Sequence, residues 1–210
     1  VDSSDIAIYV VGDRAGLFGR GTSGEGNDVP DLKLPGAQAE LLDTCLDSKV
    51  PGLIVSVSGR PYALGDFAKR AKAIIQAFMP GEEGGTAIAE VITGAISPSG
   101  RLPVEIPATI MGQPSTYLQP KYGTAGLGMS PVDSIPLFPF GHGLTYTNFE
   151  YGNFTISSGK VETDGEFTVS VEVRNSYGLS GVEVVQLYFA DPVAEIARPV
   201  IQLLGFARVP

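Results

Sequence analysis

Glu25 is the residue of this sequence best placed to do chemistry. It stands between Gly24 and Gly26 in a glycine-rich stretch, Gly12 to Asp28, that follows the apolar run Ile6–Val11. A carboxyl group can give or take a proton. Bare glycine on either side lets the backbone take unusual angles and lets a bulky ligand come close. The carboxyl end of a strand is also where open α/β sheets bind their ligands. The plainer alternative is a solvated loop glutamate. Phe18, Arg20 and Asp28 share the loop and are the further candidates for ligand contact. Against that role, Phe18 would pin the loop to the domain surface, and Arg20 would pair with a local acid.

Other chemistry-bearing patterns lead to bland readings. Gly19-Arg20-Gly21-Thr22-Ser23-Gly24 spells a dinucleotide fingerprint, but that motif needs a helix to start at once on the phosphates. Here Gly26, Pro30 and Pro35 delay the helix. His142 is the only histidine, flanked by Gly141 and Gly143, and a structural turn role is expected for it. Without a cysteine cluster or a second histidine, a metal site lacks nitrogen and sulfur ligands, so no metal and no cofactor is expected. The single Cys45 falls in the apolar pattern Leu41, Leu42, Cys45, Leu46 and reads as helix packing. Glu82 and Glu83 precede a helix, where the dipole favours negative charge. Asn153-Phe154-Thr155 is a glycosylation sequon in form, with nothing else to support it.

The elements that must position Glu25 follow from periodicity. Ile6–Val11 is a continuous apolar run, the pattern of a strand buried on both faces. Ala37–Ser48 has helical spacing between Pro35 and Pro51. Leu53–Val57 and Ala73–Phe78 read as further strands, Phe67–Lys72 as a helical turn, and Thr86–Thr93 as a helix stopped by Gly94. Strand and helix in alternation predict a parallel sheet, an incomplete α/β sandwich domain over residues 1–107. From 108 to 148 the periodicity vanishes among prolines, glycines and the aromatics Tyr117, Tyr122, Phe138 and Phe140, which predicts an irregular linker packed on a surface. After Phe149 the period switches to two, as in Phe167, Val169, Val171 and Val173. That predicts a truncated all-β sandwich over 149–210, with about four strands where a fibronectin-like sandwich has ~7.

The 210 residues carry a net charge of −9, divided −5 before Phe149 and −4 from there on. No basic stripe offers itself to nucleic acid, and no apolar run is long enough to span a bilayer. The chain reads as an interior piece of something longer, so a signal peptide is not expected within it, and localisation, bacterial cytoplasm or secreted, stays open.

Four stretches, in order, carry a family resemblance: Ser23-Gly24-Glu25-Gly26 with Leu34-Pro35-Gly36-Ala37-Gln38; Phe78-Met79-Pro80-Gly81-Glu82-Glu83-Gly84-Gly85-Thr86-Ala87-Ile88-Ala89; Ser97-Pro98-Ser99-Gly100-Arg101-Leu102-Pro103-Val104; and Pro136-Leu137-Phe138-Pro139-Phe140-Gly141-His142-Gly143-Leu144-Thr145-Tyr146-Thr147. Together they resemble glycoside hydrolase family 3, the β-glucosidases and β-xylosidases. Gln113–Pro120 is similar to an actinobacterial branch of those enzymes. The resemblance implies a retaining, exo-acting β-glycosidase with three parts: a barrel bearing the nucleophilic Asp, an α/β domain whose loop bears the acid/base Glu, and a fibronectin III-like domain. By that resemblance Glu25 is the acid/base; Phe18, Arg20 and Asp28, which share its loop, would then line the leaving-group side. The substrate would be a β-linked oligosaccharide or an aryl glycoside. The chain would be an interior fragment that lacks the barrel of its own polypeptide, is inert alone, and self-associates as a homo-oligomer. The alternative is a non-catalytic carbohydrate-binding or scaffolding module.

Overall fold

The computed structural model describes residues 3–110, 116–120 and 135–210. Three strands, β1 (Ala7–Gly12), β2 (Gly52–Val57) and β3 (Ala73–Gln76), form a parallel sheet in the order β1-β2-β3. Helix α1 (Gln38–Leu46) joins β1 to β2, the short α2 (Gly65–Ala68) joins β2 to β3, and α3 (Gly84–Thr93) follows. The register sets Val10 beside Val55 and Gly12 beside Val57. Leu42 and Leu46 of α1, with Phe67 of α2, close over Tyr9, Val11 and Ile54 to make the core. Arg70, just past the end of α2, ties this part to α1 through ion pairs with Asp43 and with Asp47, the residue that caps the helix's carboxyl end. α3 ends at Gly94, whose φ of +77° is the left-handed stop that only glycine takes without strain.

Two expectations change here. The run Ile6–Val11 reads as buried on both faces, yet Ile8 and Val10 stand open, at 46% and 66% exposure. β1 is an edge strand in this sheet, and the described helices α1 and α2 cover only the face that holds Tyr9 and Val11. Glu83 occupies the N-cap of α3 but makes no side-chain cap hydrogen bond, so any benefit from it is charge against the helix dipole alone.

The stretch from 108 to 148 reads as irregular, but Pro136–Phe138 forms a strand, β5, antiparallel to β4 (Ile106–Pro107). A ladder that short leaves no period in the sequence. Tyr122 and most of Gly112–Gly128, including the first three residues of Gln113–Pro120, lie outside the described residues. Tyr117 stacks on Phe140 with ring centroids 4.0 Å apart.

Beyond Phe149 the expected period-two strands are present as two antiparallel pairs. They are β6 (Phe149–Ile156) with β7 (Val169–Asn175), and β8 (Glu183–Phe189) with β9 (Gln202–Val209). Val169, Val171 and Val173 are half-buried on one face of β7, while Leu187 is exposed. Asn153 sits at a register shift in β6 with φ +50°, and its amide donates to Glu172 at 2.6 Å. Among the described residues no helix is long and apolar enough to cross a membrane.

Candidate functional site

The candidate site is built from the carboxyl end of β1 outward. Gly12 has φ +140°, and a Cβ there would run into the carbonyl of Val57 on the neighbouring strand, so only glycine lets the two strands stay in register at this point. Gln38, the first residue of α1, accepts from the Gly12 N–H at 2.6 Å and donates to its carbonyl at 2.9 Å. This is why Gln38 matters four residues past Leu34: its amide fixes the point where the loop departs.

Asp13 comes next, and its side chain is only 2% exposed. Its carboxylate accepts from the Gly59 N–H at 2.8 Å, from the Thr22 hydroxyl at 2.9 Å, and from the Tyr62 hydroxyl. The Arg60 guanidinium lies 3.6 Å away. A buried carboxylate survives only when so supplied with donors. Tyr62 is fully buried, and its hydroxyl is pushed up from 10.0 to about 12, by burial first and by Asp13 second.

From Asp13 the loop doubles back on itself. The Gly16 N–H donates to Ser23, that of Thr22 to Arg14, and that of Phe18 to the Glu25 carbonyl at 2.9 Å. Asn27 plugs the interior: its oxygen accepts from the Gly21 N–H, and its amide donates to the carbonyls of Gly16 and Glu25. Gly24, at φ +116°, lies so close to the Gly16 carbonyl that no side chain fits. The Glu25 backbone is therefore held twice, while its side chain is exposed and has no partner among the described residues.

Phe18 adopts φ +52°, a left-handed conformation that costs a bulky residue energy. It is 73% exposed and stands beside the Glu25 turn, since a Cβ on Gly26 would lie 3.1 Å from its ring. Arg20 is exposed at the tip; its carbonyl accepts from Arg14 at 2.8 Å, and its own side chain meets no acid among the described residues. Asp28 is on the loop's return, 3.6 Å from Arg60. The structure thus gathers Phe18, Arg20 and Glu25 on the outer part of one loop and sets Asp28 at its base.

Sequence reasoning passed over Asp13, Asn27 and Arg60. Asp13 and Arg60 are opposite charges, each just past the carboxyl end of adjacent strands. That was the available signal.

The third and fourth motif stretches meet elsewhere. The Leu102 N–H donates to the His142 carbonyl and the Leu102 carbonyl accepts from the Gly141 N–H, both at 2.8 Å, and Arg101 donates to the Gly143 carbonyl. Arg101 also grips both oxygens of Glu183 on β8, at 3.0 and 2.8 Å, and Tyr151 of β6 donates to the same carboxylate at 2.6 Å. His142 stacks on Phe138 at 4.9 Å, and burial first, then the charge of Arg101, pulls it below its usual range. It is a turn residue in a junction. A cavity of about 350 Å³ opens at this junction beside Arg101, Phe140, Gln186, Phe206 and Arg208. It shares no lining residue with the Glu25 loop.

Comparison with known proteins adds a family to this geometry. Residues 1–146 match the sequence model of the glycosyl hydrolase family 3 C-terminal domain, and residues 183–210 match that of a fibronectin type III-like domain. The chain is 37% identical over 209 residues to a β-xylosidase of Formosa agariphila, covering 99% of this chain and 28% of that protein. It is 34% identical over 215 residues to a periplasmic β-glucosidase of Salmonella typhimurium, covering 98% of this chain and 28% of the relative. Among solved structures, a β-glucosidase from Erythrobacter marinus superposes with a TM-score of 0.86 at 34% identity, over 99% of this chain and 28% of that one. A β-glucosidase from Listeria innocua in complex with gluconolactone gives 0.88 at 27% identity, over 99% and 29%. The chain therefore spans less than a third of the length of the relatives it matches.

Proposed function

Because the chain belongs to glycosyl hydrolase family 3, through that family's C-terminal domain, we propose that it supplies the general acid/base of a retaining, exo-acting β-glycosidase, with Glu25 in that role. The observation that carries the reading is the presentation of Glu25. Its main chain is fastened by Phe18 and Asn27, and its carboxylate stands free at the carboxyl end of a parallel sheet. Retaining hydrolysis needs two carboxyl groups ~5–5.5 Å apart, one to attack the anomeric carbon and one to protonate the leaving oxygen. An exposed carboxyl on a loop fastened to the sheet suits a proton donor working on a sugar bound elsewhere. The nucleophile is assigned to an aspartate on a barrel domain of the same polypeptide.

Phe18 and Arg20 border the leaving-group side in this reading, with the ring packing on a sugar face and the guanidinium donating to hydroxyls. The substrate class is a terminal, non-reducing β-glucoside or β-xyloside, in keeping with the relatives' names. The 210-residue chain alone is expected to be inert.

The experiment is Glu25→Ala in the full-length enzyme. Substrates with poor leaving groups should lose about 10²–10⁴-fold in kcat/KM, the usual worth of general acid catalysis. Activated aryl glycosides should lose far less at the glycosylation step, and azide should intercept the intermediate as a β-glycosyl azide. Equal losses on both substrate types, without azide product, would sink the assignment.

A further inference from the structure

Arg60 lies outside the glutamate loop, just past the end of β2, yet it touches that loop on both sides of Glu25. One nitrogen, Nη1, donates to the Thr22 carbonyl and stands 3.6 Å from the buried Asp13 carboxylate. The other, Nη2, donates to the Asn27 carbonyl at 3.3 Å and faces the Asp28 carboxylate at 3.6 Å. One planar group thus spans the segment from residue 22 to residue 28, with Glu25 near its middle. Arg60 is itself largely covered, its side chain 22% exposed.

The segment needs such a grip. Gly24 and Gly26 both hold positive φ, at +116° and +68°, and glycine loses more conformational freedom on ordering than any other residue. The Asn27 side chain and the Phe18 amide tie the loop to itself. Arg60 and Asp13 tie it to the sheet, since Asp13 is fastened to the Gly59 N–H and to Tyr62 beyond β2. The distinction has a chemical consequence: internal ties keep the loop's shape, whereas the ties to the sheet fix where Glu25 points.

The geometry points to Arg60 as a positioning residue that sets the reach of Glu25, with Asp13 its buried counter-charge and Asp28 the outer catch. It touches neither sugar nor leaving group. The inference rests on the reading of Glu25 as proton donor and adds to it the residue that aims the donor. A lysine cannot replace it. An ammonium is a point charge on a flexible stem, and it cannot place two donors on carbonyls five residues apart while it also faces two carboxylates.

The test is Arg60→Lys in the full-length enzyme, run beside Glu25→Ala. Misplacement by about 1 Å costs on the order of 10²-fold, so Arg60→Lys should lower kcat/KM about 10- to 100-fold on a poor leaving group. On an activated aryl glycoside the loss should stay within about 3-fold, because that substrate hardly needs the proton. The basic limb of the pH–rate profile should survive in Arg60→Lys and vanish in Glu25→Ala. A purely structural residue would lower both substrates together. Hydrogen exchange should rise in residues 14–28 and stay unchanged in β2.

Should Arg60→Lys fail to fold, Asp28→Asn removes only the outer catch and should give the same substrate split at about 3-fold. A leaving-group dependence that steepens in Glu25→Ala and not in Arg60→Lys or Asp28→Asn overturns the positioning role and leaves the acid/base intact. No steepening in Glu25→Ala overturns the reading on which both rest.

Discussion

Gln38 satisfies both hydrogen-bonding groups of Gly12 at once, taking its N–H at 2.6 Å and giving to its carbonyl at 2.9 Å. The partners are 26 residues apart in sequence, and Gly12, the last residue of β1, is buried beside Val57 of β2. Gln38→Leu therefore strands a buried donor and a buried acceptor. The expected loss is about 1–3 kcal/mol of stability, read by urea denaturation. Gln38→Glu keeps the acceptor and should cost less than the leucine variant. Equal stability in all three proteins would show that water replaces the side chain there.

Alkaline pH should loosen the base of the loop. Tyr62 titrates at 10.0 when unfolded and at about 12 in the fold. A group whose pKa is raised by folding contributes stability that is intact below the unfolded value and is lost as pH rises through the folded one. Stability should thus be flat below pH 10 and fall by about 2 kcal/mol between pH 10 and pH 12 from Tyr62 alone. Tyr62→Phe should make that part of the curve shallower but not flat, because burial and Glu183 push Tyr151 up to about 12 as well, at a cost of about 1 kcal/mol at neutral pH for the hydroxyl that Asp13 loses. Thermal melting at a series of pH values decides it.

Much of the scaffold was readable in one dimension because its causes are local. The period of α1, the apolar runs of β2 and β3, the stop at Gly94 and the alternation through Val169, Val171 and Val173 all lie within a turn or a strand of sequence. The glycines around Glu25 marked the loop for the same reason. What escaped was non-local. Arg60 meets Thr22 across 38 positions, and Arg101 meets Glu183 across 82. No window of sequence contains either pair. The open face of β1 escaped as well, since an apolar run does not say how many of its faces a given sheet covers.

The Arg101–Glu183 pair is nearly sealed, with side chains 14% and 8% exposed. Glu183→Ala should cost about 3–5 kcal/mol, the penalty for stranding a buried charge. Replacing both partners with apolar residues, as in Arg101→Met with Glu183→Leu, should restore most of that loss. A double-mutant cycle by thermal denaturation measures the coupling. Additive single effects would show the two charges to be independent.

The 210-residue chain expressed alone should self-associate. Ile8 and Val10 lie open on β1, whose outer edge has no partner strand among the described residues. Open apolar strand edges recruit other chains, and closed dimers are the commonest result. Light scattering at low micromolar concentration should report more than a monomer, and Ile8→Lys with Val10→Lys should reverse it. A monodisperse wild-type monomer would overturn this expectation.

The junction at Arg101 also bears on modular engineering. Domain exchange among related enzymes assumes that a sandwich can be lifted off one protein and set on another. Here the α/β part carries a guanidinium whose counter-charge belongs to the following sandwich, and a tyrosine from that sandwich completes the contact. A donor sandwich without a carboxylate at the place of Glu183 would arrive with its surface intact and leave a bare cation in the seam. Choosing donors that keep a carboxylate at the place of Glu183 and a hydroxyl at the place of Tyr151 should therefore raise the share of chimeras that fold.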